Sequence, residues 1–323
     1  MNLSKKIVLG ISMLSMIFAS NVDAAQATQS AIVESNQSEA EVYFNRGLEY
    51  AEQGNLDQAI ENYSKAIALN PNYTDAYNNR GLVYKSQGKI DQAIKDFNKA
   101  IELNPNYMIA YNNRGNAYSD QGNLNKAIKD YTRAIELNPN DTMAYYNRGI
   151  AYKDQGKLDH AIEDWTKTIA LNPNDTDAYN NRGNVYKAQG NLTQAIKDYS
   201  KAIEIDPNNA TAYHNRGNAY AKAGNLNQAI SDWTHTIELN PNDALAYYNR
   251  GNIYQKQGNL SQAIFDYNKA IEINPKYSKA YCNRGIAYAK LGNISQGIAD
   301  LKKALELDPN NQLAYKALTL LQQ

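Results

Sequence analysis

MIAYNNRGNAYSDQGNLNKAIKDYTRAIELNPND, residues 108–141, is one copy of a unit that the chain writes eight times. The tripeptide Asn-Arg-Gly stands at Asn45, Asn79, Asn113, Asn147, Asn181, Asn215, Asn249 and Asn283, always 34 residues apart. With Ala40 as position 1, the units fill residues 40–311. A fixed period of this length marks a repeat architecture and overrides the prior of about two domains that the length alone would suggest. In the quoted copy, Tyr111, Gly115 and Tyr118 (positions 4, 8 and 11) fall on one helical stripe. Ala127, Ile128, Tyr131, Ala134 and Ile135 (positions 20, 21, 24, 27 and 28) form a second stripe. Gly122 at position 15 separates the two. Position 18 (Asp57, Asp91, Asn125, Asp159, Thr193, Asn227, Ser261, Ser295) holds side chains that can accept the free amides of a helix start, which predicts the cap of the second helix there. Pro139 at position 32, like the proline there in every unit, has no amide to continue a helix and turns the chain into the next copy. Each unit is therefore a helix pair, and the chain is all-α.

Composition narrows the function. Thirty-three basic side chains balance thirty-three acidic ones, so no net cationic excess favours nucleic acid or an anionic membrane surface. One cysteine forbids an internal disulfide, and Cys282 with three scattered histidines makes no metal-ligand spacing. No nucleophile–base pair and no phosphate-binding glycine loop recurs in the units, so neither catalysis nor a cofactor or metal is expected. The 26 tyrosines beside 4 phenylalanines are explained by position, because sixteen of them occupy positions 4 and 11 and pack between helices.

Residues 1–24 read as an export signal: Lys5 and Lys6, then the mostly apolar run from Ile7 to Ala19, then Val22-Asp23-Ala24. That run is too short to span a bilayer, which needs about 20 residues. Asn-x-Ser/Thr sequons such as Asn62-Tyr63-Ser64 lie inside the packed helices, where glycans would not fit, so a bacterial periplasm is expected over a eukaryotic secretory route. Residues 25–39, rich in Gln, Ser and Ala, read as a flexible lead-in. Residues 312–323 resemble a lone first helix and are expected to cap the open end of the array.

The aromatic at 4, Gly at 8, Tyr at 11, Ala at 20, aromatic at 24, Ala at 27 and Pro at 32 resemble the tetratricopeptide repeat (TPR). The resemblance implies an α-solenoid of eight helix-turn-helix units in a right-handed superhelix, its first helices lining an inner surface, and it implies a protein-binding scaffold. Three departures stand out. Trp165 and Trp233 replace the usual position-24 residue, each with a Thr (Thr168, Thr236) at 27, either as a repacked core or as an aromatic box. Position 7 is Arg in every unit and position 23 is Asp in seven, either as a pair across helices or as a row of exposed guanidinium groups for anions. The eighth unit is atypical at Gly297 and Leu301.

Around the first helix, positions 2, 6, 9 and 13 lie opposite the packed stripe. Position 6 is Asn in every unit, namely the eight Asn of the Asn-Arg-Gly motifs, and Asn116, Asn184, Asn218 and Asn252 add a second at position 9. A carboxamide offers an acceptor and two donors, matching the backbone of an extended peptide whatever its side chains. The row is similar to the asparagine ladder in the repeat region of O-linked N-acetylglucosamine transferase; the alternative is that these Asn bridge neighbouring helices. Tyr146 and Tyr248 are candidate stacking or edge contacts. The carboxylate-clamp mode of heat-shock cochaperones is not expected, since no Lys occupies position 5, and the groove reads as polar and nearly uncharged. The expected function is a scaffold that grips extended segments of partner proteins. An assembly factor using outer or end surfaces, or a self-associating envelope protein, is the alternative.

Overall fold

The computed structural model describes residues 33–322 together with Gln26, Gln29 and Ser30. The export signal expected over residues 1–24 lies outside the described residues. Among the described residues the regular elements are α-helices. They fall into two compact units divided between Gln155 and Gly156, inside the fourth repeat. The first unit holds α1 (residues 33–52), α2 (Leu56–Leu69), α3 (Thr74–Ser86), α4 (Ile90–Leu103), α5 (Met108–Asp120), α6 (Leu124–Leu137) and α7 (Thr142–Asp154). In the second are α8 (Leu158–Leu171), α9 (Thr176–Ala188), α10 (Leu192–Ile205), α11 (Ala210–Lys222), α12 (Leu226–Leu239), α13 (Ala244–Lys256), α14 (Leu260–Ile273), α15 (Ser278–Lys290), α16 (Ile294–Leu307) and α17 (Gln312–Leu321). Residues 33–39, expected as flexible, are helical and continue α1 upstream of the first repeat. Nothing in that stretch breaks a helix: it contains neither Gly nor Pro, and the Ala40 that follows is fully buried.

Glycine at position 15 ends each first helix. Gly122 sits at φ 73°, a left-handed conformation that a Cβ would strain. The amide of Asn123 then reaches back to the Tyr118 carbonyl at 2.8 Å and closes the helix end. Second helices stop two residues before the proline: Asn138 caps α6, and its side chain accepts from the Asn140 amide at 3.1 Å, fixing the turn before α7.

The caps are not where the sequence suggested. Position 18 lies one residue inside the second helix, which begins at position 17, and where it is Asp or Asn its side chain instead accepts from the position-14 glutamine of the following unit. Gln121 Nε2 to Asp91 Oδ1 is 2.8 Å, and Gln189 to Asp159 is 2.9 Å. Asp or Asn at position 18 thus ties neighbours together, while its charge or dipole still suits a helix start. Side-chain caps stand instead at position 34 before first helices, where Asp141 accepts from the amides of Met143 and Ala144 and Asp243 from those of Leu245 and Ala246, and at position 16 before two second helices, where Asn191 and Asn259 accept from Gln194 and Gln262.

Small residues set the helix spacing. A Cβ added at Gly115 would lie 2.6 Å from the Tyr131 ring, so the ring at position 24 fills the space that glycine leaves. Ala127, Tyr131 and Ala151 form one buried cluster with Tyr118, Leu124 and Ile128 against it. Trp165 and Trp233 are buried, and Thr236 Oγ1 donates to the carbonyl of Asp232 at 2.9 Å, which makes these units repacked cores rather than aromatic boxes. The position-7 arginine is consumed by the fold. Arg114 donates twice to Asp130 at 2.7 Å, reaches Asn98 of the preceding unit, and lies over the rings of Tyr111 and Tyr118 at 5.5 and 6.0 Å. Arg80, Arg182, Arg216, Arg250 and Arg284 repeat this bidentate pairing with the Asp at position 23, so the row of exposed guanidinium groups does not form. At the C-terminal end, α17 packs Ala314, Ala317, Leu318 and Leu321 on Cys282, Leu301 and Ala304.

Candidate functional site

The asparagine-bearing face is carried by α1, α3, α5 and α7 in the first unit and by α9, α11, α13 and α15 in the second. In the first, Asn45 is exposed, and Asn79, Asn113 and Asn147 are half-buried. Asn113 Nδ2 donates to Asn78 Oδ1 at 2.9 Å, and Asn78 Nδ2 to Asn79 Oδ1 at 3.1 Å. Asn147 Nδ2 donates to Asn116 Oδ1 at 3.1 Å, which also accepts the Tyr131 hydroxyl at 2.7 Å. In the second unit, Asn249 donates to Asn218 at 3.1 Å, and Asn283 to Asn252 at 2.7 Å. Tyr267 donates its hydroxyl to Asn252 at 2.9 Å, and Tyr199 to Asn184 at 2.8 Å. Asn215 Oδ1 accepts from Lys187 Nζ at 3.4 Å, and Asn181 is half-buried.

This differs from a row of wholly free carboxamides. Each position-9 asparagine with these bonds is an acceptor for the scaffold, taking the position-24 tyrosine of its own unit, the position-6 asparagine of the next, or both. The coupling runs through three units, while Tyr63 stands beside Leu48 and Asn218 beside Trp233. Tyr131, Tyr199 and Tyr267 accompany Asn116, Asn184 and Asn252, whereas Phe97, which has no hydroxyl, accompanies Leu82. Position-6 asparagines spend one donor on holding themselves in place. The Oδ1 atoms of Asn113, Asn147, Asn249 and Asn283 make no hydrogen bond among the described residues and are not buried. What the face presents is therefore a set of oriented carbonyl-type acceptors, suited to the N–H groups of an extended chain.

Tyr248 is not a free platform. Its ring packs on Tyr277 and Tyr267 at 4.9 and 6.0 Å, and its hydroxyl accepts from Asn283 at 3.2 Å. Burial raises its phenol above the ordinary value, and pushes that of Tyr277 up to about 12. Tyr146 is half-buried. In several units position 5 meets position 34: His214 Nδ1 lies 3.0 Å from Asp243 Oδ2, and Phe44 packs on Tyr73 at 4.9 Å.

Position 13 carries charge that the sequence reading misses. It shares the face of position 6, seven residues on, yet the groove was read as nearly uncharged. In the first unit it carries Glu52, Ser86, Asp120 and Asp154, and in the second Ala188, Lys222, Lys256 and Lys290. Reading that column down the repeats would have found it. Among the described residues no cluster of His, Cys, Asp or Glu is arranged to hold a metal, and no helix is long and apolar enough to cross a membrane.

Paired helices at a constant 34-residue pitch, tied unit to unit, define a helical-repeat interaction scaffold. The patterns described as TPR repeat match residues 47–88, 115–156, 151–190, 183–224 and 217–258. Those described as tetratricopeptide repeat match residues 74–107, 97–129, 244–277 and 278–311. Together they run unbroken from residue 47 to 311, and the chain belongs to the tetratricopeptide repeat family. Among solved structures it is similar to YrrB, described as a TPR protein with an unusual peptide-binding site, with 26% identity, 58% of this chain and 97% of that chain covered, and a TM-score of 0.52. It shares its fold with the C-terminal part of a TPR repeat-containing protein from Cytophaga hutchinsonii (22% identity, 74% and 98% covered, TM-score 0.64). A TPR protein from Parabacteroides merdae shares it too (21% identity, 77% and 99% covered, TM-score 0.56). No curated protein matches the chain in sequence.

Proposed function

We propose that this scaffold holds extended segments of partner proteins against its first-helix face, the position-6 asparagines accepting hydrogen bonds from the segment's backbone amides. The observation that carries this is the set of unburied Oδ1 atoms on Asn113, Asn147, Asn249 and Asn283, each held in orientation by a donor bond to the preceding unit. An acceptor fixed in advance loses little entropy on binding. The peptide-binding site in the description of YrrB supports the same role. The role proposed is one of binding, with no catalytic step, and the export-signal reading of residues 1–24 supports a location in the bacterial periplasm. The test is affinity for a library of extended peptides, comparing the parent chain with Asn147→Ala and Asn249→Ala. Each lost acceptor bond should weaken binding by about 0.5–1.5 kcal/mol irrespective of peptide sequence. Unchanged affinity in both variants would refute it.

One observation favours the alternative of self-association. α17 leaves Leu313, Tyr315 and Leu320 exposed by 54, 62 and 72%, with Leu313 and Leu320 side by side on the helix. Light scattering across concentration decides between them, since a chain that remains monomeric does not self-associate.

A further inference from the structure

Lys187 is a cation in the wrong place for a stable empty scaffold. It stands at position 12 of α9 and is half-buried, with its Nζ 3.4 Å from Asn215 Oδ1 and 5.7 Å from the centre of the Tyr199 ring. No carboxylate pairs with it among the described residues, whereas Lys85 and Lys153, at the same position in the first unit, pair with Asp120 and Asp154 at 2.9 and 3.1 Å. Burial and the charge of Lys222 both lower its pKa, the expected cost of desolvating an ammonium beside a like charge.

Lys222, Lys256 and Lys290 continue from it. They are exposed, sit at position 13 at the ends of α11, α13 and α15, and make no ion pair among the described residues. Cations there also suit the negative end of a helix. That role accounts for single exposed lysines, but it does not account for a half-buried one turned into the asparagine row. The acidic group on this face in the second unit is Asp177 at position 2 of α9, about 15 Å along the helix from Lys187.

We propose that Lys187, Lys222, Lys256 and Lys290 form a strip in the second unit that binds an acidic segment of a partner polypeptide. This rests on the peptide-binding reading above and names the partner's chemistry. Adjacent first helices about 10 Å apart match the roughly 9 Å turn of a segment in the extended polyproline II conformation, whose three-residue turn puts every third side chain on one face, so acidic side chains are called for at about every third position. Carboxylates there neutralise the strip while the backbone amides meet the asparagine acceptors of the same helices.

The test uses the full chain and three 12-residue peptides of one Ser/Ala background, with Glu, Gln or Lys at every third position, measured by fluorescence anisotropy. The Glu peptide should bind about fifteenfold more tightly than the Gln peptide, roughly twofold for each of the four lysines, and lose that advantage as salt rises. The quadruple variant Lys187→Gln, Lys222→Gln, Lys256→Gln and Lys290→Gln should bind the Glu and Gln peptides within twofold of each other, with a melting midpoint no lower than that of the parent chain. Equal binding of Glu and Gln peptides by the parent chain overturns the strip and leaves the asparagine face standing. Tight Glu binding that Asn249→Ala does not change supports the strip and overturns the asparagine face. Binding of none of the peptides overturns both, and tighter binding of a 12-nucleotide single strand than of the Glu peptide assigns the strip to nucleic acid and overturns the proposal.

Discussion

Replacing Asn116 by Leu removes the acceptor shared by the Tyr131 hydroxyl and the Asn147 amide. Tyr131 is 2% exposed, so its hydroxyl has little water to turn to, and a stranded buried donor costs about 1–3 kcal/mol. Asn147 is half-buried and can recover part of its bond from solvent, adding about 0.5 kcal/mol. The single substitution should therefore destabilise by about 2–3 kcal/mol. Adding Tyr131→Phe removes the stranded hydroxyl and recreates the Leu82 and Phe97 pair that the second repeat already uses. The double variant should then be about 1–2 kcal/mol more stable than Asn116→Leu alone, a coupling of the size expected for partners in contact. Urea unfolding gives the global cost. Native-state hydrogen exchange at the amides of α5 and α6 gives the local one, which matters in a repeat chain that need not unfold in a single step. A double variant no more stable than the single would refute the role of Asn116 as a scaffold acceptor.

Asp130→Asn should cost about 2 kcal/mol in thermal unfolding, because the partly buried guanidinium of Arg114 loses its charged partner, and adding Arg114→Met should recover part of the loss. Gly115→Ala should cost about 1–3 kcal/mol by pushing the Tyr131 ring aside, and Gly122→Ala about 1–2 kcal/mol for its positive φ, both read from urea midpoints. Burial raises the phenols of Tyr63 and Tyr277 to about 12, above the ordinary 10.0. The folded state therefore holds these protons more tightly, and stability, full below pH 10, should fall as pH rises toward 12. Denaturant midpoints flat over that range would contradict it.

The fold was legible because a period that never slips fixes the helix pair, and Gly115, Tyr131 and Ala134 can serve only one arrangement. The cap at position 18 was misplaced because Asp57 and Asp91 have the chemistry of a cap, while their true partner, a glutamine thirty residues later, is visible only once units are stacked. The asparagine row was found, but a carboxamide looks alike in sequence whether it serves scaffold or ligand, and the pairing of Asn116 with Tyr131 distinguishes the two only when columns are compared. The charge at position 13 was missed because average composition conceals one that changes sign along the array.

Both tryptophans of the chain, Trp165 and Trp233, lie beyond Gly156 with their indoles buried. Tryptophan emission, excited at wavelengths where tyrosine does not absorb, consequently watches only the second half of the molecule, while circular dichroism sees helices throughout. A melting experiment followed by both signals thereby becomes a built-in comparison: superimposed curves mean that the halves unravel together, and an offset between them measures how far one outlasts the other.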